Sequence, residues 1–372
     1  MKQHIYADNA ATTKLDKTAF EAMLPWLLEE YGNVSQPYAF SRKPKKALAT
    51  ARATIAECTG ALPEEIYFTS GGTESNNWVI KSSAFSDPEK RATITSAFEH
   101  HAVLRSCAAI ERLGYPVVYI WPSDEGYLTT KMLEKYLTDN TRLVSVIFAH
   151  NEIGSIQPIR ELCEVVHAHG ALFHTDAVQA VGHIKINVHE LGVDFLSASA
   201  HKFNGPKGIG FLYIRKGVEL PPYADGGAQE STRRAGTENV AGIVGMAVAL
   251  KTNCDLLEQN QRYILNLEKL LLSKLDKAGV TYKCNGGSRK LPGLLSLSFP
   301  GKDGETILHR MDLMGISIST GSACDSVNTK ISHVLQAIRL NEDDARGTIR
   351  VSLGKKNTEE EVERIAAVLI KI

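Results

Sequence analysis

Short apolar runs that end in a polar, glycine-containing turn and continue into a helix-like stretch recur through the first two thirds of the chain. The pattern is clear in "EEIYFTSGGTESNNWVIKSSAF", "RLVSVIFAHNEIGSIQPIRELCEVVHAHG", "ALFHTDAVQAVG" and "VDFLSASAHKFNGPKGIGFLYI". Strands that alternate with helices predict an α/β fold with a mainly parallel sheet and helices on both faces. Ligands of such sheets bind beyond the carboxyl ends of the strands, so the turns are where we expect chemistry.

The pattern changes after about residue 250. The segment "DLLEQNQRYILNLEKLLLSKLDKAG" predicts a long amphipathic helix that stops at Gly279. Its apolar stripe consists of Leu257, Ile264, Leu267, Leu271 and Leu275. Short strands are predicted at "GLLSLSFP" and "GISIST", and Thr358 with Glu361 forms a capping box ahead of a terminal helix. A chain of 372 residues also exceeds the size of one growing core, which favours two domains.

Composition narrows the function classes. Lys plus Arg (42) equals Asp plus Glu (42), so no global field attracts nucleic acid or an anionic membrane. The N-terminus has no apolar signal region, and no run approaches the roughly 18 apolar residues of a membrane span. The six cysteines show no C-x-x-C spacing, which favours reduced thiols and no metal cluster. We therefore expect a cytoplasmic protein without a metal centre.

Two turns combine into one chemical signal. In "SASAHKFNGPKGIG", an apolar run delivers Lys202 to the end of a strand, where it is either a surface lysine or an imine-forming amine of lowered pKa. In "ALFHTDAVQAVG", Asp176 ends another run and either caps the next helix or pairs with a pyridine nitrogen. A lysine together with such an Asp is what pyridoxal phosphate requires.

Three further segments carry candidate chemistry. Gly71, Gly72 and Thr73 in "YFTSGGTES" precede a helix and suit a phosphate, although such turns are common. His100 in "SAFEHHAVL" is either a solvated side chain or an imidazole that stacks on a cofactor and moves protons. Cys324 in "SISTGSACDSVNTKISHVL" is a thiol among small polar residues, hence either an inert loop thiol or a nucleophile.

In their order along the chain and in their residues, these segments resemble the aminotransferase class V group of fold-type I pyridoxal phosphate enzymes. Within that group they resemble the NifS/IscS-type cysteine desulfurases. The resemblance runs from "YADNAATTKL" to "TIRVSLGKKNTEEEV". Its strongest segments are "FTSGGTES", "EHHAVL", "NEIGSIQP", "HTDAVQAVG", "SASAHKFNGPKGIGFLYI", "RRAGTENVAGIVGMA" and "STGSACDS".

The resemblance implies pyridoxal 5'-phosphate as cofactor and a role for each matching residue. Lys202 would bind the cofactor covalently, Asp176 would pair with its pyridine nitrogen, and His100 would stack on its ring and carry protons. Arg350 would bind the substrate carboxylate, as a bidentate guanidinium can, and Cys324 would take the substrate sulfur as a persulfide. The other cofactor contacts would come from Gly72, Thr73, Asn151, Gln179, Ser199, His201 and Thr237.

The same resemblance implies the organisation of the enzyme. Residues 15–250 would form the large cofactor-binding domain around a mainly parallel, seven-stranded sheet, and residues 1–14 with 251–372 would form a smaller α+β domain that carries Cys324. Thr237 matches a position that reaches the cofactor phosphate of the neighbouring subunit, so a homodimer is implied, and Asn151 would also contact the substrate. The implied reaction converts L-cysteine into L-alanine and passes sulfur to an acceptor, such as an iron–sulfur scaffold or a thiolation enzyme.

Three positions depart from the family pattern, and all three concern the mouth of the site. They are Val34 where Pro is usual, Pro44 where Ala is typical, and His150 where many members have Asn. Two alternatives stay open: a selenocysteine or cysteine lyase would share every cofactor residue, and a non-catalytic scaffold member would keep the fold. Transamination leaves Cys324 without a use.

Overall fold

The computed structural model describes residues 4–87, 89–320 and 331–372. The strands are β1 (Ile5–Tyr6), β2 (Ile66–Thr69), β3 (Ala92–Ser96), β4 (Val117–Ile120), β5 (Thr141–Ile147), β6 (Leu172–Asp176), β7 (Phe195–Ser199), β8 (Gly210–Ile214), β9 (Lys283–Cys284), β10 (Leu294–Ser298), β11 (Ile316–Ser317), β12 (Ser319–Thr320) and β13 (Thr348–Ser352). The helices are α1 (Lys17–Leu28), α2 (Arg42–Thr59), α3 (Gly72–Phe85), α4 (His101–Glu111), α5 (Thr130–Glu134), α6 (Ile159–Ala168), α7 (Val188–Leu191), α8 (Val240–Asp255), α9 (Leu257–Lys277), α10 (Gly304–Leu313), α11 (His333–Ala337), α12 (Glu342–Arg346) and α13 (Glu359–Leu369).

The central sheet of the described chain has seven strands in the order β2-β8-β7-β6-β5-β3-β4. Strand β8 runs antiparallel to β2 and β7, whereas the pairs from β4 through β7 are parallel. The predicted α/β fold with a mainly parallel, seven-stranded sheet is therefore confirmed. Because its parallel strands end at one edge, the turns that follow β2, β3, β5, β6 and β7 lie side by side there.

A smaller sheet comes from the C-terminal part of the chain. Its order is β12-β13-β10-β9, and its pairs are antiparallel. The predicted strand "GISIST" is divided between β11, which pairs in parallel with β1, and β12, which pairs Ser319 with Arg350 of β13. The N-terminal strand therefore crosses to the C-terminal part of the chain.

The apolar clusters follow the two sheets. The largest packs between the central sheet and its helices and includes Phe98 and Phe173. Another combines Ile5 with residues of α9, β10, β13 and α13, while the described segment 331–345 packs through Val334 against the first cluster. We therefore propose the division into residues 15–250 and residues 1–14 with 251–372, with segment 331–345 at the boundary between the two cores.

Two local predictions for the C-terminal part, the amphipathic helix and the capping box, are confirmed. Helix α9 covers the predicted amphipathic segment and buries Leu267, Leu271 and Leu275. The hydroxyl of Thr358 accepts from the Glu361 N–H at 3.2 Å, and the Glu361 carboxylate accepts from the Thr358 N–H at 3.2 Å, so the capping box is formed.

Pro44, a departure from the family pattern, lies in the first turn of α2 and is buried there. The N–H groups of a first turn have no helical partner, so this proline costs no helical hydrogen bond. Val34 lies in a turn ahead of α2 and is partly buried. Among the described helices, none is both long and apolar enough to cross a membrane alone, although the bent pair of α8 and α9 passes the test of length and composition together.

Candidate active site

A cavity of about 590 Å³ opens at the carboxyl edge of the central sheet. Strands β5, β6 and β7 end at Ile147, Asp176 and Ser199, which line it. The predicted site residues that line this cavity are Gly72, Thr73, His100, Asn151, Asp176, Gln179, Ser199, His201, Lys202 and Arg350. The fold thus brings together residues spread over 279 positions of sequence, from Gly72 to Arg350 inclusive.

Lys202 follows β7 in a 3-10 turn, Ala200–Lys202. Its ammonium donates to the carbonyl oxygen of Ala11 at 2.9 Å and to that of Ala10. The amine is therefore directed at the N-terminal segment that lines the cavity. Its neighbour His201 contacts the Thr12 hydroxyl through Nδ1 at 3.1 Å, and burial lowers the pKa of His201 to about 4, so this ring is neutral near pH 7.

Asp176 is nearly fully buried at the end of β6, and both carboxylate oxygens accept hydrogen bonds. Asn76 donates through Nδ2 to Oδ2 at 2.6 Å, and the Val178 N–H donates to Oδ1 at 3.0 Å. The two donors fix the plane of the carboxylate. Asn76 also lines the cavity, and the reading of the sequence missed it, since an Asn inside a helix carries no pattern of its own.

The glycine turn after β2 requires residues without a side chain. Gly71 has φ +148°, a backbone conformation that other residues rarely adopt. A Cβ on Gly72 would lie 2.4 Å from Cγ2 of Val178, so the first residue of α3 has to be small. Helix α3 spans Gly72–Phe85, and its N-terminus with Thr73 faces the cavity, where free N–H groups and the helix dipole favour an anion.

His100 caps the start of α4. Its Nδ1 accepts from the Ala102 N–H at 3.1 Å, which puts the proton of the neutral ring on Nε2. Burial lowers the pKa of His100, although the nearby charge of Asp176 acts in the opposite direction. A neutral imidazole with a defined Nε2–H in this cavity can donate a hydrogen bond at that atom.

His150 shows why its departure from the family pattern is tolerated. Its Nε2 donates to the carbonyl oxygen of Phe98 at 2.6 Å, and its Nδ1 accepts from the Glu152 N–H at 3.1 Å. The ring stacks on Phe98 with centroids 5.0 Å apart, and burial lowers the pKa of His150 to about 3. The side chain is thus a neutral, fully bonded support for the segment that leads to His100.

Glu99 is a buried acid that the reading of the sequence did not single out. It accepts from the Ile147 N–H at 2.9 Å and from the Ser96 hydroxyl. Burial raises the pKa of Glu99 to about 8, so it is mostly protonated at neutral pH. It lies between the ends of two strands and directly precedes His100 in the chain.

Arg350 lies on β13 and is held by two acceptors. Its Nη1 donates to the carbonyl oxygen of Asn151 at 3.0 Å, and its Nη2 donates to Oδ1 of Asp8 at 2.6 Å. Asp8 lines the same cavity and was not predicted as a site residue. Its position in the "YADNAATT" segment gave no signal that it would meet an arginine 342 positions later.

Two predicted site residues lie elsewhere. Cys324 falls outside the described residues. Thr237 is exposed and, within the described part of the chain, lies away from the cavity. Its loop still reaches the rim, because Arg234 donates through Nε to Oε1 of Glu74 at 2.8 Å, and Glu74 is a lining residue.

Comparisons with known proteins identify a matching family and similar chains. The aminotransferase class-V family matches residues 5–365. The cysteine desulfurase IscS of Dictyoglomus turgidum is 46% identical over 374 aligned positions, which cover 100% of this chain and 95% of that protein. A solved structure of a NifS-like protein superimposes with a TM-score of 0.94 at 37% identity and covers 99% of both chains. A structure described as SspA in complex with cysteine has a TM-score of 0.86 at 35% identity, over 95% of this chain and 100% of that one.

The chain therefore belongs to the aminotransferase class-V family of pyridoxal phosphate-dependent enzymes. Within it, the chain falls in the group of the cysteine desulfurases, as the recognition from sequence predicted. The comparisons favour neither the selenocysteine lyase alternative nor the scaffold alternative.

Proposed function

We propose that this protein is a cysteine desulfurase that converts L-cysteine into L-alanine and takes the sulfur onto Cys324 as a persulfide. One observation supports the proposal above all others. Lys202, Asp176 and His100 converge on one cavity, and Arg350 reaches the same cavity from the other sheet. This set combines an amine, a carboxylate, a proton carrier and a carboxylate receptor, as amino acid chemistry with pyridoxal phosphate requires.

The residues present fit that cofactor. Lys202 offers an amine for covalent attachment, and Asp176, oriented by two donors, suits a protonated pyridine nitrogen. The N-terminus of α3 at Gly72 and Thr73, with Ser199 and His201, forms a cradle for the phosphate. Asn151 and Gln179 would contact its phenolic side. When bound, pyridoxal phosphate withdraws electrons from Cα of the substrate.

The protein's own residues then have separate tasks. Arg350 binds the substrate carboxylate, and the Lys202 amine takes the proton from Cα. His100, as the proton carrier, takes up a proton before it releases one, because a neutral imidazole does not give up its Nε2–H. The Cys324 thiolate attacks the substrate sulfur and breaks its bond to Cβ. The balance is one L-cysteine and one thiol for one L-alanine and one Cys324 persulfide.

The enzyme is proposed to work as a cytoplasmic homodimer that delivers sulfur to an acceptor protein. Exposed apolar side chains near α1 support association, since Leu28 and Tyr31 are each 73% exposed. Thr237 would complete the phosphate site of the second subunit. The acceptor is an iron–sulfur scaffold or a tRNA- or cofactor-thiolating enzyme, because these consume protein-bound sulfane sulfur.

Mass spectrometry of the purified holoenzyme after incubation with L-cysteine tests the proposal. We expect one added sulfur on Cys324 and release of alanine in an equal amount. Cys324→Ala should lose both products, whereas Cys284→Ala, which removes the exposed thiol of Cys284, should keep them. Lys202→Ala should lose the absorbance of the covalently bound cofactor.

Full alanine output from Cys324→Ala would contradict the persulfide step and favour a lyase. A protein that binds no pyridoxal phosphate would favour the scaffold alternative.

A further inference from the structure

Arg350 is held by an internal carboxylate inside the cavity. The Oδ1 of Asp8 lies 2.6 Å from Nη2 of Arg350. The Arg350 side chain is 8% exposed and the Asp8 side chain is 17% exposed. Partly buried ion pairs of this kind are screened less by salt and water than surface pairs. An amino acid carboxylate that arrives at Arg350 therefore meets a guanidinium that already has an anionic partner.

The hydrogen-bonding capacity of the guanidinium is only partly used. Nη1 donates to Asn151 and Nη2 donates to Asp8, but the buried Nε–H has no acceptor among the described residues. A buried donor without a partner is rare in folded proteins, and the carboxylate of a bound ligand can supply the acceptor. The arrangement leaves a place for a second carboxylate next to the first.

Neither partner needs this ion pair to hold its backbone. The segment around Asp8 is already fixed because Asp8 bridges to Ser352 and Asn9 bonds to the Ser352 carbonyl through its N–H at 3.1 Å and Nδ2 at 2.9 Å. Arg350 lies in the middle of a strand that is paired on both sides. The Asp8 carboxylate is therefore available for a task that concerns the ligand.

We propose that Asp8 sets the affinity of the site: its carboxylate competes with the α-carboxylate of the amino acid for Arg350 and so weakens the binding of substrate and product alike. Two carboxylates on one guanidinium repel each other, and the ligand has to share the cation or displace Asp8. Weaker binding of L-alanine speeds its release after each turnover. This inference rests on the proposed role of Arg350.

Titration of the holoenzyme with L-alanine, followed by the absorbance of the bound cofactor, tests the inference. In Asp8→Asn, which keeps the shape and removes the charge, we expect the dissociation constant of L-alanine to fall by about tenfold. L-alaninamide, which has no carboxylate, should bind within about twofold of its affinity for the unchanged enzyme. The KM for L-cysteine should fall while kcat does not rise.

Asp124→Asn is the matched control. Asp124 forms an equally short ion pair with Arg339, also 2.6 Å, but on the exposed surface. That variant should bind L-alanine like the unchanged enzyme. Asp8→Ser provides a second variant in case the asparagine destabilises the fold, and thermal unfolding of each holoenzyme checks that it is folded.

Unchanged or weaker L-alanine binding in folded Asp8→Asn and Asp8→Ser would overturn the inference. Arg350→Lys, measured in the same titration, separates this failure from a failure of the proposed function. If Arg350→Lys loses affinity for L-alanine but not for L-alaninamide, the carboxylate site is where we place it, and only the role of Asp8 is wrong. If it affects neither ligand, the assignment of Arg350 itself is wrong.

Discussion

At the scale of single residues, the support of Asp176 is the feature with the most direct consequence. Its carboxylate receives one bond from a backbone N–H and one from Asn76. A side chain that is buried and charged depends on such donors, because the protein interior offers no water to replace them. Asn76 is thus a positioning residue, which acts on the cofactor through Asp176.

Replacing Asn76 by Ala should weaken cofactor retention. The loss of one buried charge-assisted hydrogen bond costs about 1–3 kcal/mol, so we expect the dissociation constant for pyridoxal phosphate to rise about tenfold or more. Spectrophotometric titration of the apo-enzyme measures it. Asn77→Ala is the control, since the Asn77 side chain donates to the Thr73 carbonyl at 2.9 Å on the same helix and does not bond to Asp176. Equal affinities in both variants would contradict the role given to Asn76.

At the scale of elements, one buried histidine joins three strands of the central sheet. His174 on β6 contacts the Ser145 hydroxyl on β5 at 2.8 Å and the Ser197 hydroxyl on β7 at 3.0 Å. Burial lowers the pKa of His174 from 6.5 to about 3. The ring therefore stays neutral in the folded sheet at pH values where the unfolded chain binds a proton.

This difference predicts an acid sensitivity. Because the folded pKa lies below the unfolded one, the contribution of His174 to the free energy of unfolding is complete above about pH 6.5 and is lost as the pH falls toward 3. Urea unfolding at several pH values between 6.5 and 5 gives the slope of the free energy of unfolding against pH. This slope should be shallower in His174→Gln than in the unchanged protein, by up to about 1.4 kcal/mol per pH unit.

The control for that experiment removes a histidine that the fold does not bury. His309 is exposed on α10, and His309→Gln should keep the slope of the unchanged protein. Comparison of slopes, rather than of absolute stabilities, separates the titration from the loss of packing. Identical slopes in all three proteins would show that His174 does not set the acid sensitivity.

At the scale of the whole molecule, the proposed homodimer makes a prediction about shared sites. If Thr237 serves the neighbouring subunit, then a mixed dimer of Thr237→Ala and Lys202→Ala subunits contains one site with both residues intact. Random exchange of equal amounts makes half of the dimers mixed, so activity should return to about a quarter of the unchanged enzyme. Desulfurase assays before and after subunit exchange measure it.

Absence of recovery, with mixed dimers demonstrated by a mass tag, would place Thr237 in its own subunit's site or outside the site. A monomeric mass close to 40.7 kDa in light scattering would contradict the dimer itself.

The sequence alone determined the order of the elements, the type of sheet and the ten predicted site residues that line the cavity. Periodic patterns of apolar residues predict local structure. The turns at Lys202 and Asp176 can be recognised in the sequence because reactive side chains directly after an apolar strand are unusual. The carboxyl-edge rule then places these turns together without any coordinates. The recognised motifs added the roles, and the family comparisons support the family.

Only the tertiary structure decided which partners complete the site. Asp8 meets Arg350 across nearly the whole chain, and Asn76 meets Asp176 across 100 positions. His150, a departure from the family pattern, proves to be a neutral, hydrogen-bonded support. Local patterns do not encode such pairs, because they arise from how strands and helices pack and not from the conformation of either segment. The physical reason for these pairs is burial. A charged group or a hydrogen-bond donor that is buried without a partner costs free energy, so the folded protein places a complementary group beside it.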